Sequence, residues 1–182
     1  FAGIEHFFNA QPEYKGQLTF LQIASPHREH FKDVQQKYQD WITKEAEKVN
    51  RKFETKEWKP IVLETTQYSQ KDLSALFKIA HFCLITSLHD SMNLVAKEYV
   101  AMRNDSLGVL ILSQFAGASR HLKEALIVNP HNTEEIGTAI FTALSMPISE
   151  QYRRMNIMRT IIKDYNVYRW AAEFIKSVTS LN

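Results

Sequence analysis

The sequence lacks the features that mark several broad classes of protein. One cysteine in 182 residues excludes a disulfide framework within the chain. No apolar run approaches the roughly 20 residues needed to span a bilayer, and there is no signal-peptide pattern, so we expect a cytoplasmic setting and no membrane partner. A net charge of +2 without a Lys/Arg cluster argues against a nucleic-acid partner.

Signatures of metal sites and of the common phosphate-binding loops are also missing. His27 and His30 are three residues apart, but no cysteine or carboxylate pattern completes a site, so no metal is predicted. The chain has five glycines and contains neither G-x-G-x-x-G nor a Walker loop. These absences argue against a dehydrogenase or an ATPase of the usual types, and no cofactor is expected.

What the sequence does contain is an alternation of short apolar strand patterns and amphipathic helical patterns. Strand patterns fall at residues 18–24, 61–63, 81–86, 108–112 and 126–128, and helical patterns at 1–10, 29–53, 71–80, 92–102, 118–122, 133–144, 149–165 and 167–180. This alternation predicts an α/β fold with a parallel sheet flanked by helices, as one domain over residues 1–182. Cys83 falls within a strand pattern and is predicted to be a core residue.

The corner after the strand pattern at residues 81–86 is the best candidate site. Asp90 lies at this corner, and a helix that begins near Ser91 places Glu98 about two turns in. Open α/β sheets bind ligands where a strand's carboxyl end leads to a helix N terminus, and the free N–H groups there favour phosphate. Two flanking carboxylates suit sugar and ribose hydroxyls. On spacing alone, Asp90 as a helix cap and Glu98 as a surface carboxylate remain the alternative.

A second turn of small residues follows the strand pattern at residues 108–112. This turn, residues 114–119, has the sequence QFAGAS and is predicted at a strand's carboxyl edge. One interpretation is tight packing between strand and helix. The other is close approach of the backbone to a ligand. Spacing alone does not choose between them.

Three segments closely resemble the donor-binding signature of trehalose-6-phosphate synthases. They are residues 90–101 (DSMNLVAKEYVA), 108–118 (GVLILSQFAGA) and 125–130 (ALIVNP). The similarity extends from residues 18–24 to Trp170 and Phe174, nearly the whole chain. These enzymes are retaining glycosyltransferases of the GT-B architecture. The resemblance implies a Rossmann-like fold and the C-terminal, donor-binding domain of such an enzyme.

The resemblance also implies roles for individual residues. Glu98 would hold the ribose hydroxyls of a nucleotide sugar, and Asp90 would contact the donor-sugar hydroxyls within the catalytic site. Arg28 matches an arginine that faces the acceptor's phosphate. The remaining implied donor contacts are the amides of Met92 and Asn93 near the sugar, the amides of Leu94 and Val95 at the diphosphate, and Tyr68 and Leu73 around the base.

The chain departs from the family pattern at two positions. Ser91 stands where glycine is usual, which either narrows the donor pocket or only alters the turn, and His89 stands where arginine is common.

The chain also opens with Phe1 inside a helical pattern, so we expect it to be a piece of a longer protein. The family's cationic arginine and lysine, and the N-terminal half with most of the acceptor site, precede this point. The chain alone is therefore expected to be inactive. The C-terminal helix crosses to the other half in this family, so the apolar face with Trp170 and Phe174 would lack its partner and favour self-association.

The leading interpretation of function is glucosyl transfer from a nucleotide sugar such as UDP-glucose to glucose 6-phosphate, which gives trehalose 6-phosphate. The implied partners are the nucleotide sugar, the sugar phosphate and the N-terminal domain of the same enzyme. Three alternatives stay open: transfer to another phosphorylated acceptor such as glycerol 3-phosphate, a catalytically inactive regulatory homologue, and a generic nucleotide-binding α/β module.

Overall fold

Strands and helices alternate along the chain. The structure is a computed structural model that describes residues 1–24 and 32–179, apart from the side chains of residues 32–35. The strands are β1 (Phe20–Ile23), β2 (Ile61–Glu64), β3 (Phe82–Ile85), β4 (Val109–Ser113) and β5 (Leu126–Val128). The α-helices are α1 (Ala2–Ala10), α2 (Lys32–Phe53), α3 (Gln70–Ile79), α4 (Leu94–Met102), α5 (Thr133–Ser145), α6 (Ile148–Asp164) and α7 (Val167–Thr179). Short 3₁₀ helices span Pro12–Tyr14 and Gly117–Arg120. None of the described helices is long and apolar enough to cross a membrane.

Every pairing between these strands is parallel, as the alternation predicts. Phe20 of β1 lies opposite Ile61 of β2, in a two-stranded sheet. In a three-stranded sheet of order β3-β4-β5, Phe82 lies opposite Val109 and Ile111 lies opposite Leu126. Parallel neighbours need crossover connections, and helices supply them. The α/β class predicted from the sequence is confirmed.

The residues group into two compact units. Unit 1 comprises Phe1–Leu73 and Asn132–Phe141, and unit 2 comprises Ser74–His131 and Thr142–Asn182. The core of unit 1 is rich in aromatic rings. Phe8 is fully buried, and its ring centroid lies 5.5 Å from that of Phe53 and 5.6 Å from that of Trp58. Such edge-to-face and tilted contacts add to the stabilisation from apolar burial.

Unit 2 is built around β4, in which all five residues are buried. A strand covered on both faces reads as a continuous apolar run, and residues 109–112 are such a run. The core cluster consists of Ile85, Ala96, Tyr99, Val100, Leu110, Leu112, Ala116, Ala118, Leu122, Ala125, Met155 and Met158. Cys83 packs against this cluster, and burial raises the pKa of its thiol to about 12. The sequence predicted Cys83 as a core residue, and the structure places it, half-buried, against the core cluster.

A buried arginine ties the end of α4 to the end of α3. Arg103 follows α4 directly, and its guanidinium Nη1 donates to the carbonyl oxygens of Phe77 (2.7 Å) and Ala80 (2.6 Å). These carbonyls lie in the last turn of α3 and just beyond it, where no intrahelical donor is left for them. The start of α4 is the site described below, and Arg103 fixes its opposite end.

Candidate functional site

The loops that follow β3 and β4 lie against each other beyond the edge of the sheet. The pairing of β3 with β4 ends with Ile85 opposite Leu112, and it resumes as an isolated parallel bridge between Asp90 and Ala116. The Asp90 N–H donates to the carbonyl oxygen of Phe115 (3.3 Å), and the Gly117 N–H donates to that of Asp90 (3.0 Å). These two hydrogen bonds hold the corner after β3 on the turn after β4.

Gly117 permits this close approach because it has no side chain. A Cβ built on Gly117 would overlap the carbonyl oxygen of Ser91 and lie 2.9 Å from its carbonyl carbon, and both are backbone atoms. The sequence left two interpretations of residues 114–119, tight packing or close approach to a ligand. The contact of Gly117 is one of tight packing. The packing is against the Asp90–Ser91 backbone rather than between a strand and a helix.

Asn93 sets the start of α4, which begins at Leu94. Its backbone is left-handed, with φ 53° and ψ 81°, and its Oδ1 accepts a hydrogen bond from the Ala96 N–H (2.9 Å). The prediction that the helix begins near Ser91 is therefore wrong. Asparagine tolerates the left-handed conformation and is among the preferred N-cap residues, so neither Asp90 nor Ser91 is the cap.

Asp90 stabilises this cap by accepting a hydrogen bond from Asn93 with each of its two carboxylate oxygens. Oδ1 accepts from the Asn93 N–H (3.1 Å), and Oδ2 accepts from the side-chain Nδ2 of Asn93 (2.9 Å). An ionised carboxylate has about four acceptor positions, so two remain for other donors such as sugar hydroxyls. The implied contact of Asp90 with a donor sugar stays a prediction, and the structure adds a positioning role for the same side chain.

The N-terminal end of α4 presents free donors and apolar side chains. Leu94 and Val95 are its first two residues, so their N–H groups have no acceptor within the helix. The side chains of Met92, Leu94 and Val95 are exposed. The dipole of the helix adds partial positive charge at this end. An anionic group is the ligand that such an end favours.

Glu98 lies on the same helix, four residues beyond Leu94 and therefore about 6 Å along the axis. It is half-buried and makes no hydrogen bond or ion pair with another residue of the described ranges. An unpartnered carboxylate accepts hydrogen bonds from hydroxyl groups readily. The structure thus brings together, within unit 2, the predicted residues Asp90, Met92, Asn93, Leu94, Val95 and Glu98.

Tyr68 and Leu73, the residues implied around the base, lie in unit 1 at the start of α3. Ser69 caps this helix, since its Oγ accepts from the Asp72 N–H (3.2 Å). Tyr68 directly precedes the cap, Leu73 lies in the first helical turn, and both side chains are half-buried. Arg28, the residue implied at the acceptor phosphate, lies outside the described residues. The roles of all three stay predictions.

Sequence reasoning missed two contributions to this site. It assigned Asn93 only a backbone amide, and it placed Gly117 only within a turn of small residues. An asparagine just before a helical pattern is a recognised N-cap signal, so Asn93 was identifiable in principle. The contact of Gly117 depends on the pairing of two loops and leaves no local signal. Across residues 1–24 and 32–179, no group of three or more His, Cys, Asp or Glu side chains is arranged to hold a metal ion.

Comparisons with known proteins give matches along the length of the chain. A family model for glycosyltransferase family 20 matches residues 1–180. A trehalose-6-phosphate synthase from Klebsiella pneumoniae is 37% identical over 186 residues, which cover all of this chain and 38% of that protein.

Two solved structures show the same similarity in three dimensions. The UDP-forming α,α-trehalose-phosphate synthase of Burkholderia xenovorans, in complex with glucose-6-phosphate, is 36% identical with a TM-score of 0.90, and the match covers 98% of this chain and 39% of that one. An E. coli structure bound with UDP-2-fluoro glucose is 34% identical with a TM-score of 0.90, and the match covers 96% of this chain and 39% of that one.

The chain thus spans about two fifths of the length of the relatives that it matches. The family match covers nearly all of its residues, and the resemblance inferred from its motifs is confirmed. The chain belongs to glycosyltransferase family 20, the family of the trehalose-6-phosphate synthases.

Proposed function

We propose that this chain is the nucleotide-sugar-binding domain of a retaining glucosyltransferase that transfers glucose from UDP-glucose to glucose 6-phosphate. The product is trehalose 6-phosphate. Relatives named as UDP-forming synthases support the choice of donor, and a relative in complex with glucose-6-phosphate supports the choice of acceptor. No metal or other cofactor is part of the proposal.

One observation carries the proposal: the free N–H groups of Leu94 and Val95 and the unpartnered carboxylate of Glu98 lie on one short helix. A nucleoside diphosphate has an anionic group and a ribose diol close together. The helix end suits the diphosphate, and the carboxylate suits the diol. Asp90, at the preceding corner, is proposed to contact the sugar end of the donor.

The proposed chemistry follows from charge. When the bond between glucose and the diphosphate breaks, negative charge develops on the leaving phosphate oxygens. Fixed N–H donors at the start of α4 stabilise this charge in the transition state because they need no reorganisation as the reaction proceeds. Asn93 helps to hold these donors in place, since it caps the first turn of the helix.

The rest of the active site is proposed to lie outside residues 1–182, because the chain spans about two fifths of the length of its relatives and the resemblance assigns cationic residues and an acceptor half to the remainder. Arg28 is proposed to contribute to the acceptor-phosphate site from within the chain. The chain alone should therefore bind donor without turning it over. If residues 1–182 alone released UDP from UDP-glucose in the presence of glucose 6-phosphate, the proposal that the chain binds donor without turnover would be contradicted.

The test of the donor site is a titration of the full-length protein with UDP-glucose, UDP, ADP and GDP. We expect Glu98→Ala to weaken UDP-glucose and UDP binding about tenfold or more, since a hydrogen bond to a charged group contributes about 1.5–3 kcal/mol. Glu134→Ala, which removes an exposed carboxylate from the first turn of α5, is the matched control and should bind as the unmodified protein does. Unchanged affinity in Glu98→Ala would refute the ribose assignment.

A further inference from the structure

We propose that Gly117 is a positioning residue for the sugar end of the donor, although it lies 19 residues beyond Glu98 in the sequence. The inference rests on the proposed function. It assigns a role in donor recognition to the turn after β4, through the backbone of Asp90, Ser91 and Met92 rather than through contact with the ligand.

The contact between the two loops leaves no room for a side chain at position 117. A Cβ there would overlap the Ser91 carbonyl oxygen, approach its carbonyl carbon at 2.9 Å, and lie 3.7 Å from the Met92 nitrogen. Backbone atoms cannot rotate away as the end of a flexible side chain can. Residues 90–92, which form the corner after β3, must therefore move away from the turn after β4 if a methyl group is added at position 117.

The corner is held on one side by the hydrogen bonds between Asn93 and the Asp90 carboxylate and on the other by the turn after β4, to which Gly117 belongs. Ser91 and Met92 are exposed, and the Gly117 N–H donates to the carbonyl oxygen of Asp90 (3.0 Å). Displacing this corner would shift the Asp90 carboxylate and the Met92 N–H. A misplacement of about 1 Å in a binding group can cost about 100-fold in function.

The effect should be larger for the sugar than for the nucleotide. Glu98, the proposed ribose contact, lies inside α4, which is anchored by buried Ala96, Tyr99 and Val100. In the corner, by contrast, Ser91 and Met92 are exposed and Asp90 is half-buried. A shift of the corner should therefore weaken binding of the glucose moiety while leaving most of the nucleotide contacts in place.

The experiment compares UDP-glucose and UDP affinities in the full-length protein and its Gly117→Ala variant. We expect UDP-glucose binding to weaken about tenfold or more and UDP binding to change less than about threefold. Gly3→Ala is the matched control, because a Cβ at Gly3 would overlap the side chain of Ile136 within unit 1. It should lower stability without changing the ratio of the two affinities.

Hydrogen exchange of the Gly117 amide in the unmodified protein supplies a second measurement, which does not depend on the variant folding. UDP-glucose should slow this exchange more than UDP does. An unchanged affinity ratio in folded Gly117→Ala, or equal protection by both ligands, would overturn the inference alone. Failure of the unmodified protein to bind either ligand would instead overturn the proposed function.

Discussion

At Asn93, a side chain and a backbone conformation act together at the point where α4 begins. The residue is buried, left-handed at φ 53°, and bonded to Asp90 on one side and to Ala96 on the other. A left-handed conformation costs most residues roughly 1–2 kcal/mol, and asparagine is one of the few that adopt it readily. The same residue therefore satisfies a steric demand and a hydrogen-bonding demand.

Replacing Asn93 separates these two demands. Asn93→Gly keeps the left-handed backbone and the N–H bond to Asp90 but loses the cap and the side-chain bond to Asp90, so we expect a loss of about 1 kcal/mol in stability. Asn93→Ala loses the same bonds and adds about 1–2 kcal/mol of backbone strain. Urea denaturation should rank the unmodified protein above Asn93→Gly and Asn93→Ala lowest. Equal midpoints for the two variants would show that the left-handed conformation is not maintained.

At the scale of the element, α6 begins with a compact group of charges. Glu150 lies in its first turn and accepts hydrogen bonds from Arg153 (2.8 Å) and Arg154 (2.6 Å). Arg153 also donates to the carboxylate of Glu124 (3.0 Å), just before β5. The hydrogen bonds from Arg153 and then Arg154 lower the pKa of Glu150 to about 2.

This lowered pKa makes the start of α6 sensitive to acid. Because the pKa of Glu150 is lower in the folded than in the unfolded protein, its contribution to stability is complete above about pH 4.5 and is lost as the pH falls toward about 2. Glu150→Gln should therefore lose less thermal stability between pH 6 and pH 3 than the unmodified protein does. Glu134→Gln, the control in α5, should keep the unmodified pH dependence. The same acid sensitivity in Glu150→Gln and the unmodified protein would contradict this assignment.

At the scale of the whole molecule, α7 carries the largest set of exposed apolar side chains. Trp170 and Phe174 stack with ring centroids 5.6 Å apart, and each is more than half exposed. Tyr168, Ile175 and Val178 on the same helix are also exposed. Apolar surface of this kind on a folded chain promotes association.

We expect the 182-residue chain on its own to self-associate through α7. Trp170→Glu combined with Phe174→Glu should shift it toward a monomer in gel filtration, because the two changes place charge at the centre of the apolar surface. Lys176→Glu changes charge on the same helix without removing an apolar side chain and is the control. A monomeric unmodified chain, or a double variant that elutes with the unmodified one, would refute the role of α7.

The sequence predicted most elements closely, because short apolar runs bounded by turn residues define parallel strands well. The predicted strand at residues 126–128, closed by Asn129 and Pro130, coincides with β5. The start of α4 was misplaced because Met92 continues the apolar spacing of the helix, while the left-handed turn at Asn93 has no effect on that spacing. The contact between Gly117 and the Ser91 backbone could not be predicted, since it depends on how the loops after β3 and β4 pair in space.

The bridge between Asp90 and Ala116 links the lengths of two loops. Four residues lie between Ile85 and Asp90, and three lie between Leu112 and Ala116, so the register of the two pairs fixes both loop lengths together. Surface loops usually tolerate insertions independently. Here a single insertion in either loop would slide one backbone past the other, whereas exchange of both loops with those of one relative would preserve the match. Replacement of these loops by those of a relative therefore requires both loops to be transplanted as a pair.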